Sequence, residues 1–135
     1  MFAIFPLTLL PLIVINVLIY GNISALGADP LSYQVVTVQL LSGVNLTLTL
    51  ADALIAFAVL CLFFEVARSS SKTITGYFLS IVVLGIYAAE FVLIAPAGTP
   101  LFFQLTLISL FSVVAGISVR TAARSLAYRR AERVR

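Results

Sequence analysis

Histidine is absent from this 135-residue chain, cysteine occurs once, and only 10% of the residues are charged. Each scarcity excludes a class of chemistry. Without histidine there is no imidazole for acid/base catalysis and no histidine-ligated haem. With Cys61 alone, set in an apolar run of Leu60, Leu62, Phe63 and Phe64, there is neither a disulfide framework nor a structural zinc site. That thiol has no activating cation close in sequence and reads as a packing residue. Gly-x-Ser-x-Gly elbows, His-Glu-x-x-His, phosphate-cradling glycine loops and the Tyr-Asp with Gly-x-Gly-Asp pair of aspartates are also missing. No nucleophile–base pair remains, so no catalytic residue, metal ligand or cofactor is expected.

What is abundant is apolar surface. Hydrophobic residues make up 62% of the chain, more than a soluble domain of this length can bury, so the expected solvent is a bilayer. Spans of about 20 residues are read at 2–20, 46–67, 73–95 and 100–120, leaving a tail at 121–135 and no room for a soluble module. The expected fold is an all-α, integral-membrane four-helix bundle forming a single domain. A cleaved signal peptide is disfavoured for the first span, because no Lys or Arg precedes it and its apolar run is long. Pro6 and Pro11 within it are potential kinks. Between spans one and two, Leu31, Val35, Val38 and Leu41 recur at helical spacing, so residues 31–41 are read as either a short amphipathic surface helix or an irregular loop.

The ends of the later spans carry local signals. Glu65 and Arg68 stand three apart and can pair on one helix face. Pro96 stops the third span. Thr99 reads as an N-cap with Pro100 at the first helical position of the fourth. The tail is expected to continue as a basic helix. All eight cationic residues, namely Arg68, Lys72, Arg120, Arg124, Arg129, Arg130, Arg133 and Arg135, fall in the turn between spans two and three or in the tail. The positive-inside rule then predicts both termini in the cytoplasm. The six tail arginines would hold this topology and contact anionic lipid headgroups, each gaining ~1 kcal/mol; held against a membrane, they do not suit nucleic acid. Asn22-Ile-Ser24 and Asn45-Leu-Thr47 match the glycosylation pattern, which arises readily by chance.

Ionisable residues at mid-membrane cost ~2.5–3.5 kcal/mol each on insertion scales and so require a reason. Asp52 and Glu90 fall within spans two and three. At ~1.5 Å per residue they share a depth with Asn16 and Gln104, which predicts a polar layer with one residue per helix and Tyr87 beside it. Stripes of small residues point the same way. On span three Gly76, Ser80, Val83, Tyr87, Glu90 and Ile94 share a face; on span two Asn45, Thr49, Asp52, Ala56 and Val59 do; span four offers Ser109, Ser112 and Gly116. Such a layer holds a proton or cation between Asp52 and Glu90, or pins the helices by hydrogen bonds among these carboxyls and Asn16, Asn45, Tyr87 and Gln104, or lets both carboxyls reach outer water. The inner half of each span reads as almost wholly Leu, Ile, Val, Phe and Ala, with no continuous polar path, which argues against a constitutive pore.

The segments Leu50-Ala-Asp52-Ala-Leu-Ile-Ala-Phe57, Phe64-Glu65-Val66, Leu79-Ser80, Glu90-Phe91-Val-Leu93, Thr99-Pro-Leu-Phe-Phe103 and Val114-Ala-Gly116 resemble those of a family of small alphaproteobacterial inner-membrane proteins without a settled activity. The resemblance covers roughly residues 46–124. It places Asp52, Glu65 and Glu90 at the family's acidic positions, while Ser112 stands where members often carry an acid. It implies four helices in a bacterial inner membrane, and no function. The leading expectation is a non-enzymatic accessory or interaction subunit of a membrane assembly, meeting other membrane helices or itself. The alternative is a small proton- or cation-coupled transporter acting as a homo-oligomer.

Overall fold

The computed structural model describes residues 6–21, 29–69 and 74–133. The Asn22–Ser24 triplet, Lys72 and Arg135 lie outside them. The chain is mostly helical. Helix α1 spans Leu9–Tyr20, α2 Leu50–Ala67, α3 Ile74–Leu93 and α4 Pro100–Arg133, and a two-stranded antiparallel hairpin, β1 (Gln34–Gln39) and β2 (Asn45–Thr49), separates α1 from α2. Three helices, α2, α3 and α4, are long and apolar enough to cross a membrane. The fold is thus helical with a small sheet, rather than all-α. For orientation, the hairpin marks one end of the bundle and the α4 tail the other.

The hairpin replaces the expected surface helix or loop at residues 31–41, and it also takes residues 46–49 from the expected second span. Its sequence explains both differences. Asn45-Leu-Thr-Leu-Thr49 alternates with a period of two, and Val35-Val-Thr-Val38 is a β-branched run, which suits a pleated strand better than a helix. Gly43, with φ of 79°, supplies the left-handed residue of the turn, and the Leu40 amide donates to the Val44 carbonyl at 2.9 Å to close it. This is a three-residue loop ending in a glycine bulge. Pairing Val36 with Leu48 and Val38 with Leu46 puts aliphatic side chains on one face, while Thr37 with Thr47 and Gln39 with Asn45 make the other polar.

Helix α2 starts at Leu50 because Thr49 and Asp52 form a capping box. The Asp52 amide donates to Thr49 Oγ1, and Asp52 Oδ2 accepts from the Thr49 amide at 2.9 Å. Helix α4 opens at Pro100, where Thr99 Oγ1 accepts the Phe102 amide at 3.3 Å. It then runs unbroken for 34 residues through the basic tail.

Helix α1 is 12 residues long, about 18 Å against the ~30 Å of a hydrocarbon core. The prolines set its start instead of kinking it. Pro6 accepts the Leu9 amide in a turn before the helix, and Pro11 falls in the first turn, whose amides have no partner within a helix.

Helix α4 lies between α2 and α3 and packs on both, while those two have little contact with each other. Its buried face repeats every three or four residues through Leu101, Phe102, Leu105, Ser109, Ser112, Val113 and Gly116. Leu12, Ile15, Leu54, Ala58, Val83, Tyr87, Phe102 and Leu105 form the apolar core near the hairpin end. Tyr87 and Phe102 meet edge to face at 5.9 Å. On α2 the buried stripe is Leu54, Ala58, Cys61 and Glu65. This corrects the Asn45–Thr49–Asp52–Ala56–Val59 stripe, in which Asp52, Ala56 and Val59 are all exposed. The cause is the helix start: residues 45 and 49 belong to the hairpin, so they do not share a helical face with the residues of α2.

Candidate functional site

The structure disperses the polar layer expected from helix depth. Asn16 Nδ2 donates to Glu90 Oε2 at 2.9 Å and to its own helix at the Leu12 carbonyl, linking α1 to α3. Asp52 is exposed and engaged in its capping box. Gln104 is exposed on α4. The Tyr87 hydroxyl donates to the Thr8 carbonyl at 3.0 Å, in the direction of the tail end. Only Asn16 and Glu90 meet. The layer disperses because Asp52 and Gln104 stand on exposed helix faces, so a shared depth does not bring them together. Asp52→Ala is expected to destabilise the start of α2 by removing half of the capping box, and Asp52→Asn less, as read by denaturant unfolding of the solubilised protein.

A different polar layer lies in the tail half of the bundle, centred on Glu65, expected from its spacing to be able to pair with Arg68 on one helix face. Glu65 is only 2% exposed. Its Oε2 accepts the Thr8 amide at 3.0 Å and its Oε1 accepts the Ser80 hydroxyl at 3.0 Å. The three groups come from the end of α2, the turn that leads into α1, and the second turn of α3. Thr8 supplies a first-turn amide, one of the donors that a helix cannot satisfy by itself, and the positive end of the α1 dipole faces the carboxylate. Glu65 therefore serves as a cap 57 residues distant in sequence.

Helix α4 adds to the layer by register. Ser69 and Gly116 are neighbours where α2 and α4 run side by side in the same direction: a Cβ built on Gly116 would lie 3.9 Å from Ser69 Cβ. One turn towards the hairpin on each helix stand Glu65 and Ser112, at the same depth. Among the described residues, Ser112 Oγ, Ser109 Oγ and Thr8 Oγ1 are buried without a hydrogen-bond partner. Gly76, Ser80, Ser109, Ser112 and Gly116, expected as packing residues, are all buried here, but Ser80 bonds a carboxylate instead of only permitting close approach.

The layer is chemically two-sided. Ser80 Oγ lies 3.0 Å from Glu65 Oε1 and 3.1 Å from the Gly76 carbonyl. A hydroxyl has one proton and two lone pairs. With Glu65 ionised, Ser80 donates to it. With Glu65 protonated, the acid donates to Ser80 Oγ and Ser80 turns its proton to Gly76. Either state keeps its hydrogen bonds.

Beyond the layer, at the tail end, the Tyr77 hydroxyl lies 2.7 Å from the Ser69 carbonyl and 2.9 Å from the Gly116 carbonyl, and its single proton is shared between these two acceptors. The Arg120 guanidinium lies 5.0 Å above the Tyr77 ring centroid, within cation–π range. Among the tail arginines expected to meet lipid headgroups, Arg120 is half-buried, Arg124 and Arg129 are exposed, and Arg130 and Arg133 are residues of α4.

No family model matches the chain, and neither a curated protein nor a solved structure matches it.

Proposed function

We propose that the protein is a non-enzymatic interaction subunit of a membrane assembly, residing in a bacterial inner membrane with both termini in the cytoplasm and the hairpin on the outer side. One observation carries this reading: the aliphatic face of the hairpin, Val36, Val38, Leu40, Val44, Leu46 and Leu48, has no cover among the described residues, each side chain being 39–61% exposed. No charged residue occurs between Asp29 and Asp52. A lone two-stranded ribbon is marginal in water, and contiguous exposed apolar surface marks an interaction site. Because β2 passes into α2 without a linker, the face is held at a fixed angle to the bundle, as a docking surface for the apolar outer surface of a partner membrane protein requires.

Gentle purification from the native membrane followed by mass spectrometry tests this. A partner is expected in stoichiometric amount, lost with Val38→Lys/Leu46→Lys and kept with Thr37→Lys/Thr47→Lys on the polar face. Both pairs are exposed, so neither should move bundle stability by more than about 0.5 kcal/mol per site. A homo-oligomer without partner, or equal loss from both faces, overturns the reading.

Proton-coupled transport is the second reading, and Glu65 favours it in place of Asp52 and Glu90. The hydroxyl-lined carboxylate accommodates either protonation state, and the unpartnered serines of α4 offer further donors. The apolar core between this layer and the Asn16–Glu90 pair means that transport would need a rearrangement of helices.

A further inference from the structure

We propose that the groove between the start of α3 and the tail-end half of α4 binds the phosphodiester headgroup of one anionic phospholipid. The groove has a volume of about 420 Å³ and is lined by Ile74, Tyr77, Ile117, Arg120, Thr121 and Arg124, a size within the range of small-molecule sites. The four α4 residues fall at intervals of three, one and three, so they occupy a single helix face. Both arginines therefore point to one opening, one turn apart.

The level of the groove suits a headgroup. Arg120 lies 20 residues beyond Pro100, about 30 Å along α4, which is the thickness of a hydrocarbon core, and Arg124 lies ~6 Å further on. Ile74 and Ile117, 73% and 51% exposed, give an acyl chain an apolar wall where the groove meets that core. The Tyr77 ring, its centroid 5.0 Å from the Arg120 guanidinium carbon, holds that group at the groove by a cation–π contact, and a guanidinium is suited to bidentate phosphate binding.

The chain has five carboxylates, and they are placed elsewhere. Asp29 and Asp52 are at the hairpin end, Glu90 is with Asn16 and Glu65 is with Thr8 and Ser80. Glu132 is eight residues past Arg124 on the same helix, about 12 Å away. The site differs from a diffuse attraction of the tail to a charged leaflet: it predicts one lipid, in one place, dependent on the shape of the groove as well as on charge.

Native mass spectrometry of the full chain in detergent, incubated with phosphatidylglycerol, phosphatidylcholine or inorganic phosphate, tests the proposal. One phosphatidylglycerol per chain is expected, with phosphatidylcholine held about tenfold less and inorganic phosphate unable to displace the lipid. Arg120→Gln/Arg124→Gln should lower occupancy about tenfold or more, whereas Arg129→Gln/Arg130→Gln, further along the tail, should keep it within about twofold. Thr121→Trp retains every charge but fills the groove, and should lose the lipid as well; its exposed position makes it the deciding variant if the double arginine variant does not fold. Full retention by Thr121→Trp, equal loss from both arginine pairs, equal binding of phosphatidylcholine, or displacement by inorganic phosphate would each overturn the proposal.

Discussion

Glu65→Leu is expected to lower the unfolding free energy by about 1–3 kcal/mol, the cost of leaving a buried donor unpaired. Leucine fills most of the volume of the carboxylate, so little cavity arises, and Ser80 can turn its hydroxyl to the Gly76 carbonyl 3.1 Å away. The Thr8 amide has no such alternative within its own helix, and it carries the penalty. Glu65→Gln keeps an acceptor oxygen for Thr8 and gains an amide that can donate to Ser80 Oγ, so it should stay within about 1 kcal/mol of the parent, the worth of one ordinary hydrogen bond. Denaturant titration of the solubilised protein gives both numbers, and hydrogen exchange at the Thr8 amide localises the effect. If Leu and Gln destabilise equally, the cap does not hold α1 in place. If both fold normally but a transport assay finds Glu65→Gln inactive, the carboxylate acts through its proton.

The second large effect is expected at Gly116. A Cβ at this position would lie 3.1 Å from Tyr77 Cε1, close enough that the ring must shift by a few tenths of an ångström. Gly116→Ala combines that strain with the ~1 kcal/mol gained by alanine over glycine inside a helix, and should come out near neutral. Gly116→Leu has no such balance. Overpacking costs about 1–3 kcal/mol, and displacing Tyr77 removes its bonds to the Ser69 and Gly116 carbonyls, about 1 kcal/mol more. A loss of about 2–4 kcal/mol in a thermal or denaturant melt is the expected sum. Tyr77→Phe in the same assay isolates the hydroxyl. A silent Gly116→Leu would mean that α3 and α4 separate at the tail end without cost.

Helix boundaries were legible where a single residue type dictates geometry. Thr99-Pro100 announces α4 because proline suits the first turn and threonine can cap it, and Pro96 ends α3 within three residues of Leu93. The hairpin was hidden by a coincidence of spacing: Leu31, Val35, Val38 and Leu41 fit a helix face, but the neighbouring Leu-Thr alternation has the period of a strand, and Gly43 is the turn residue. The Glu65 layer was hidden for another reason. Next to Arg68 in sequence, Glu65 reads as half of a pair at the end of a span, and nothing local reveals that the backbone of Thr8 will arrive against it. A backbone amide has no sequence signature, so a carboxylate that caps a distant helix is invisible to pattern reading. The four-residue layer expected near the hairpin rests on depth and on small-residue stripes, and the stripe of the second span misleads because residues 45–49 belong to the hairpin, leaving Asp52 on an exposed face.

The position of α4 sets an order of events during synthesis. Helices α2 and α3 emerge one after the other, yet the main packing partner of each is α4, which is made after both. Until residue 116 and its neighbours have left the ribosome, Tyr77 has no Gly116 carbonyl to reach, and Val83 and Tyr87 lack Leu105 and Phe102. Helices α2 and α3 are each long and apolar enough to cross a membrane as separate segments, but they acquire their packing only when α4 comes between them. A chain truncated before Pro100 should therefore insert and fail to consolidate, leaving three helices open to proteolysis or to the wrong partners.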